Sequence, residues 1–115
     1  SVLEAAEGAA EGVILTFLAP PKTIIGKQFT QKFKEQYKKD PPIFAAEAYD
    51  AVLALNEAVL NSDGSKGGIM KALNDVNFEG ASGKIDFDNN GDVIKPYNVL
   101  KVENGKFVEF KSELL

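Results

Sequence analysis

The chain contains no cysteine and no histidine. The first absence removes thiolate nucleophiles, Cys-X-X-Cys redox chemistry and thiolate zinc sites. The second removes the Ser-His-Asp triad and the one side chain whose ordinary pKa lies near neutrality. A cysteine-free sequence fits any redox compartment. No apolar run approaches the roughly 18 residues needed to span a bilayer. Basic residues are in deficit as well: thirteen stand against seventeen acidic ones, a net charge of -4. Nothing here would attract a phosphate backbone, so no nucleic-acid partner is expected. The opening SVLEAAEGAAEG has neither a basic-then-apolar leader nor a lipid-attachment cysteine. That is uninformative, since a mature or truncated secreted chain lacks both.

What remains is an ordinary globular composition, 44% hydrophobic and 26% charged over 115 residues. That length allows one domain at most, burying roughly 60–70% of its unfolded surface. Residues 1–12 are rich in Ala, Glu and Gly, and Gly8 and Gly12 weaken a helix there. Val13 to Leu18 (VILTFL) reads as a buried strand stopped by Pro20 and Pro21. A helix is expected over residues 26–39, with Phe29, Phe33 and Tyr37 recurring every fourth position as a core-facing stripe, ended by Asp40-Pro41-Pro42. A second helix is expected over residues 43–60. Its broad face carries Ala45, Ala48, Tyr49, Val52, Leu55 and Val59, and its further alanines let neighbours approach closely. After the loop NSDGSKGG, capped by Ser65 or Asp63, a third helix over residues 68–75 turns Ile69, Ala72, Leu73 and Val76 inward. From Gly80 the period changes to that of strands, within residues 84–110. Lys84 to Phe87 is a short strand and NNGD a turn. Tyr97 to Val102 and Lys106 to Phe110 form a hairpin, because Asn104-Gly105 supplies the two positive-φ residues of a type I′ turn. The fold class is therefore α/β.

Three constellations carry potential chemistry. DFDNNGDV sets Asp86, Asp88, Asn90 and Gly91 at the first, third, fifth and sixth positions of a calcium loop. The bidentate glutamate that such a loop needs at its end is replaced by Tyr97, and strands flank it instead of helices, so a polar turn is expected and no metal. Asp86 and Asp88, two apart on a strand, face the same side, but nothing supplies the rest of an acid–base site across a cleft. No catalytic residue and no cofactor are expected. Phe44 stands just after Pro41-Pro42, at the start of the alanine-rich helix. There it either packs the helix start or borders a ligand cleft. The Ser65 to Gly68 stretch lacks the pattern of a phosphate-binding loop.

Several pieces, in order and spacing, resemble one family: AAEGVILT (Ala9 to Thr16), the helix with Phe33 and Tyr37, PPIFAAEAYDAVLAL (Pro41 to Leu55), IMKAL (Ile69 to Leu73), GASGKIDFDNNGDV (Gly80 to Val93), PYNVLKV (Pro96 to Val102) and NGKFV (Asn104 to Val108). The chain resembles the type I periplasmic binding proteins of ABC transporters, and among them the branched-chain amino acid (Leu/Ile/Val) group. The resemblance implies two Rossmann-like lobes with a ligand cleft between them, of which this chain would be the C-terminal third. It implies crossings between lobes near Ala19 to Lys22 and near Gly91 to Tyr97. It makes Phe44 one wall of the ligand side-chain pocket, while the groups holding the ligand's carboxylate and ammonium are expected upstream. Glu4, Glu7 and Glu11 are expected to be solvated instead.

The implied function is non-catalytic capture of a small amino acid-like solute for a membrane permease, in the periplasm or at the outer cell surface. Without the central strands of the sheet the alanine-rich helix would expose apolar faces. A covering partner is therefore expected, either the remainder of the two-lobed protein or a swapped second copy. Two other classes stay open: an autonomous α+β interaction module without a small ligand, and a calcium-binding domain.

Overall fold

The computed structural model describes residues 3, 6, 8–19, 23–42 and 44–110. Its elements run β1 (Ile14–Leu18), α1 (Ile24–Tyr37), α2 (Ala45–Leu60), α3 (Lys66–Asn74), β2 (Asn77–Gly80), β3 (Gly83–Asp86), β4 (Tyr97–Glu103) and β5 (Lys106–Glu109). The fold is mixed α/β, as its sequence implies. The chain gathers into two compact units, with Pro20–Lys95 forming one and the segments before and after it forming the other. The chain passes between them at Ala19/Pro20 and at Lys95/Pro96.

The flanking unit is a three-stranded antiparallel sheet in the order β1-β4-β5. Its hairpin is local in origin. Asn104 at φ 53° and Gly105 at φ 68° supply the left-handed pair that turns β4 into β5. Glu11 is exposed, as expected, and its carboxylate also accepts the turn's two amides, Asn104 N at 2.9 Å and Gly105 N at 3.3 Å. Glu4 and Glu7 lie outside the described residues. Val13, just before β1, and Ile14 within it are 48% and 52% exposed, so the run VILTFL is not the buried strand its composition predicts. Side chains of a strand point to the sheet's faces, so their burial depends on what packs on those faces and not on the apolar run itself.

The other unit holds the three helices and the β2–β3 hairpin. Thr23 caps α1, its Oγ1 accepting from Gly26 N at 3.1 Å, so the helix starts two residues before the expected Gly26. It stops at Lys38, which turns left-handed (φ 56°) and returns its N–H to Lys34 O, before the Asp40-Pro41 stop is reached. Ser65 caps α3 by accepting from Gly68 N at 3.0 Å. Asp63 backs it, accepting from Ser65 N at 2.9 Å and Ser65 Oγ at 2.6 Å. Those bonds hold the Asp63 carboxyl below its ordinary pKa, the Ser65 hydroxyl contributing most. The core is small: Ala54, Ala58, Val76 and Ile85, with Ile69, Ala72, Leu73, Phe78, Phe87 and Val93 packed around them.

Helix α2 presents the opposite face from the one its hydropathy favours. Asp50, Ala54 and Ala58, one helical turn apart, are its buried residues. Tyr49, Val52, Leu55 and Val59 are 49%, 65%, 50% and 49% exposed. Small side chains let the β2–β3 hairpin and α3 come close on the alanine side. The larger aliphatic face is left without cover among the described residues. The aromatic stripe of α1 is likewise only half-buried at Phe29 and Phe33, and Tyr37 is 54% exposed. Its rings meet in tilted pairs along the helix and against α2, with centroids 5.9 Å (Phe29–Phe33), 4.5 Å (Phe33–Tyr37) and 5.2 Å (Phe29–Tyr49) apart.

Candidate functional site

Phe44 is the N-cap residue of α2, which begins at Ala45, two residues after the expected start at residue 43; residue 43 lies outside the described residues. Its backbone is left-handed, φ 66° and ψ 5°, and no side chain caps the helix there. A bulky residue in that region is a true outlier, costing on the order of 1–2 kcal/mol, and such strain persists only where the surroundings impose it. Here the chain is held from both sides, with Ala45 N donating to Pro42 O at 3.1 Å and Ala48 N to Phe44 O at 3.0 Å. The ring gains no burial in return, being 58% exposed. The strained residue thus presents its aromatic ring to solvent at the start of α2. An open trough of about 430 Å³ lies between the Phe29–Phe33–Tyr37 stripe of α1 and Ala45 and Tyr49 of α2, and Phe44 does not line it.

What holds the start of α2 in place is a feature that the sequence reading passed over. Asp50 is 1% exposed, and its carboxylate accepts three hydrogen bonds: Ala81 N at 2.7 Å, Ser82 N at 2.6 Å and Ser82 Oγ at 2.6 Å. Lys95 closes the group by donating from Nζ to Ser82 O at 3.1 Å and to Ser82 Oγ. Aspartate, serine and lysine together are the residue types of some hydrolytic sites. Here the serine is 6% exposed and its oxygen is occupied on both sides, receiving from the ammonium and donating to the carboxylate. The arrangement is a structural pin between α2 and the β2–β3 turn. One signal could have revealed it: an aspartate on the small-residue face of a helix, in register with Ala54 and Ala58.

The pin also explains Gly80. A Cβ there would sit 2.5 Å from Asp50 Cγ and 2.6 Å from Oδ1, against a carboxylate that three donors prevent from moving. Gly80→Ala is expected to destabilise the fold by about 2–3 kcal/mol, measured by urea unfolding.

The DFDNNGDV carboxylates are engaged within the protein. Asp86 pairs with Lys84 Nζ at 2.5 Å. Asp88 Oδ1 accepts Asn90 N at 2.8 Å and Asp92 N at 3.0 Å, while Asp88 N reaches Asp92 O and Gly91 N reaches Asp88 O, both at 2.9 Å. The sequence thus makes an Asx-type turn, and no group of three or more acidic residues that could hold a metal occurs among the described residues. The amides of Asp92 and then Asn90 hold the Asp88 carboxyl below its ordinary pKa. A depressed carboxyl stabilises the turn above its unfolded pKa and loses that contribution as pH falls through the folded value. The turn is therefore expected to stay ordered at neutral and mildly acid pH and to loosen only below about pH 4. Rising exchange of the Asp92 amide over that range, corrected for intrinsic rates, would check it; exchange rising already near pH 6 would contradict it.

Among the described residues no helix is long and apolar enough to cross a membrane.

Three helices with antiparallel strands, in this order, make a mixed α/β arrangement that matches part of a periplasmic binding protein fold. Residues 2–105 match the model of the receptor family ligand binding region. The chain belongs to that family. Solved structures agree. The leucine-binding protein LivK of Thermotoga maritima is 33% identical over 95% of this chain, with a TM-score of 0.76, and this chain covers 33% of it. LivJ of Streptococcus pneumoniae, a branched-chain amino acid transporter substrate-binding protein solved with isoleucine, is 28% identical over 92% of this chain and 31% of its own, at TM-score 0.70. A solute-binding protein of an ABC transporter from R. palustris, solved with benzoate, shares the fold at 20% identity and TM-score 0.71, over 95% of this chain and 32% of its own. The chain thus spans about a third of the length of these relatives. No curated protein matches it.

Proposed function

We propose that this chain is the C-terminal part of an ABC transporter solute-binding protein that captures a branched-chain amino acid or a similar small solute. It works without catalysis, in the periplasm or at the outer cell surface, and delivers to a membrane permease. The observation that carries the reading is Phe44: an exposed aromatic, held in a strained conformation at a helix start, in a chain 33% identical to a leucine-binding protein. An apolar ring there forms one wall for an aliphatic side chain, and the polar contacts to the amino acid come from the other two thirds of the protein. Closure of two lobes on the ligand is the motion this architecture allows.

Calorimetry of a chain that includes those two thirds tests the proposal. Saturable heat is expected with at least one of leucine, isoleucine and valine. Heat with none of them removes the amino acid reading, and heat with benzoate instead keeps solute capture while changing the ligand class.

The uncovered face of α2 favours one further element of the reading. Tyr49, Val52, Leu55 and Val59 form an apolar surface that the remainder of the protein, or a swapped second copy, covers. Alone, the 115-residue chain is expected to associate as its concentration rises in light scattering. A well-folded monomer at low micromolar concentration would favour the autonomous module instead.

A further inference from the structure

We propose that Asn104 is a site of spontaneous deamidation and that Glu11 guards it by holding the amides of its turn. The chain has two Asn-Gly sequences, Asn90-Gly91 and Asn104-Gly105. Glycine after asparagine favours the reaction, because it has no side chain to keep its amide nitrogen away from the asparagine Cγ. Both asparagines are exposed. In the reaction the Gly105 nitrogen attacks Asn104 Cγ and closes a cyclic imide. The Cγ–Nδ2 bond breaks, and the proton lost by the Gly105 nitrogen departs with Nδ2 as ammonia. Water then opens the ring at one of its two carbonyls and leaves an aspartate or an isoaspartate at position 104. The step needs no oxidant or cofactor. It does need the glycine amide to be free of its hydrogen bond.

The two turns hold that amide differently. Gly91 N donates to Asp88 O at 2.9 Å, and Asp88 Oδ1 accepts Asn90 N at 2.8 Å and Asp92 N at 3.0 Å. Every partner there is a near neighbour along the chain, and the turn closes on its own backbone. In the other turn Glu103 pairs with Lys106, and the ladder uses neither amide between them. Both amides go to Glu11, which is 93 and 94 residues away along the chain. The bond from Gly105 N to Oε2 is long, 3.3 Å, and it ends on an exposed side chain. Such a bond opens more often than a backbone bond of 2.9 Å. Asn104 is therefore the more reactive of the two, and Glu11 sets how often its glycine amide is released.

The product removes its own guard. A carboxylate at position 104 brings a second negative charge beside that of Glu11. An isoaspartate adds a methylene to the backbone of a turn built from two left-handed residues. Either product drives Glu11 from the turn, so the segment before β1 loses that tie to the hairpin and does not regain it.

Peptide mapping by mass spectrometry of the 115-residue chain, aged at mildly alkaline pH, tests this without any ligand, so its outcome is independent of the solute-binding proposal. The rate at each asparagine is divided by its rate in the urea-unfolded chain, which removes the effect of sequence neighbours. On that scale Asn104 is expected to convert at least about 3-fold faster than Asn90. Glu11→Ala should raise the rate at Asn104 by about 3- to 10-fold and leave Asn90 unchanged. Glu11→Gln keeps one acceptor oxygen without the charge and should lie between wild type and Glu11→Ala. A ratio of Asn104 to Asn90 below about 3 overturns the proposal, as does a rate at Asn104 that Glu11→Ala leaves unchanged or lowers. Should Glu11→Ala fail to fold, the wild-type ratio and Glu11→Gln decide by the same comparison.

Discussion

Replacing Asp50 by alanine is expected to cost about 3–5 kcal/mol and to leave little or no folded helical unit. The carboxylate is 1% exposed and accepts three hydrogen bonds. Removing it strands two buried amides and a hydroxyl where water does not reach. It also releases Ser82, to which Lys95 is tied. Each bond to a charged acceptor is worth roughly 1.5–3 kcal/mol, and because all three end on one group their losses do not add. The total still approaches the whole stability of a domain this size, which is typically about 5–15 kcal/mol. Asp50→Asn keeps the volume and one acceptor oxygen but turns an NH₂ group toward donors. It should fall between wild type and alanine, at about 2–3 kcal/mol. Urea unfolding followed by circular dichroism measures both. A loss below about 1 kcal/mol for the alanine variant would mean that the pin does not hold the fold.

Phe44→Gly is expected to move stability and ligand binding in opposite directions. Glycine adopts φ 66° without the penalty that Phe44 bears, and the exposed ring contributes little burial. The variant should be more stable by about 0.5–1 kcal/mol. In a chain that includes the other two thirds of the protein it should bind leucine, or whichever amino acid is the ligand, roughly 10- to 100-fold more weakly, a loss of about 1.4–2.8 kcal/mol. Phe44→Ala removes the ring but keeps the strain, so it should weaken binding as much while giving no stability gain. Paired calorimetry and urea unfolding separate the two roles. A Phe44→Gly variant that is destabilised with unchanged affinity would make Phe44 a packing residue and leave the pocket wall to be found elsewhere.

Local chemistry was legible in the sequence to the extent that neighbours along the chain decide it. Asn104-Gly105 turns the hairpin because its geometry needs only those two residues. The three helices follow from apolar spacing, and the starts of α1 and α3 are set by Thr23 and Ser65, two residues before where pattern alone puts them. The strand Asn77–Gly80 was missed because NFEG has no alternation to recognise, and its partner and its pin come from residues outside it. Phe44 was legible as a candidate through family resemblance, whereas its left-handed backbone is visible only in three dimensions.

The sequence by itself determined the α/β class, the family, the absence of thiol and imidazole chemistry, and the aromatic at the start of the second helix. Each depends on composition, short-range spacing or motif order. Tertiary structure alone decided which face of α2 turns inward. Hydropathy favours Tyr49, Val52, Leu55 and Val59, yet the buried face is Asp50, Ala54 and Ala58. The physical reason is that burial is set by what the rest of the chain brings to a surface. The turn at Ala81 and Ser82, some thirty residues on, brings two amides and a hydroxyl that the Asp50 carboxylate accepts, and small side chains beside that carboxylate let it approach.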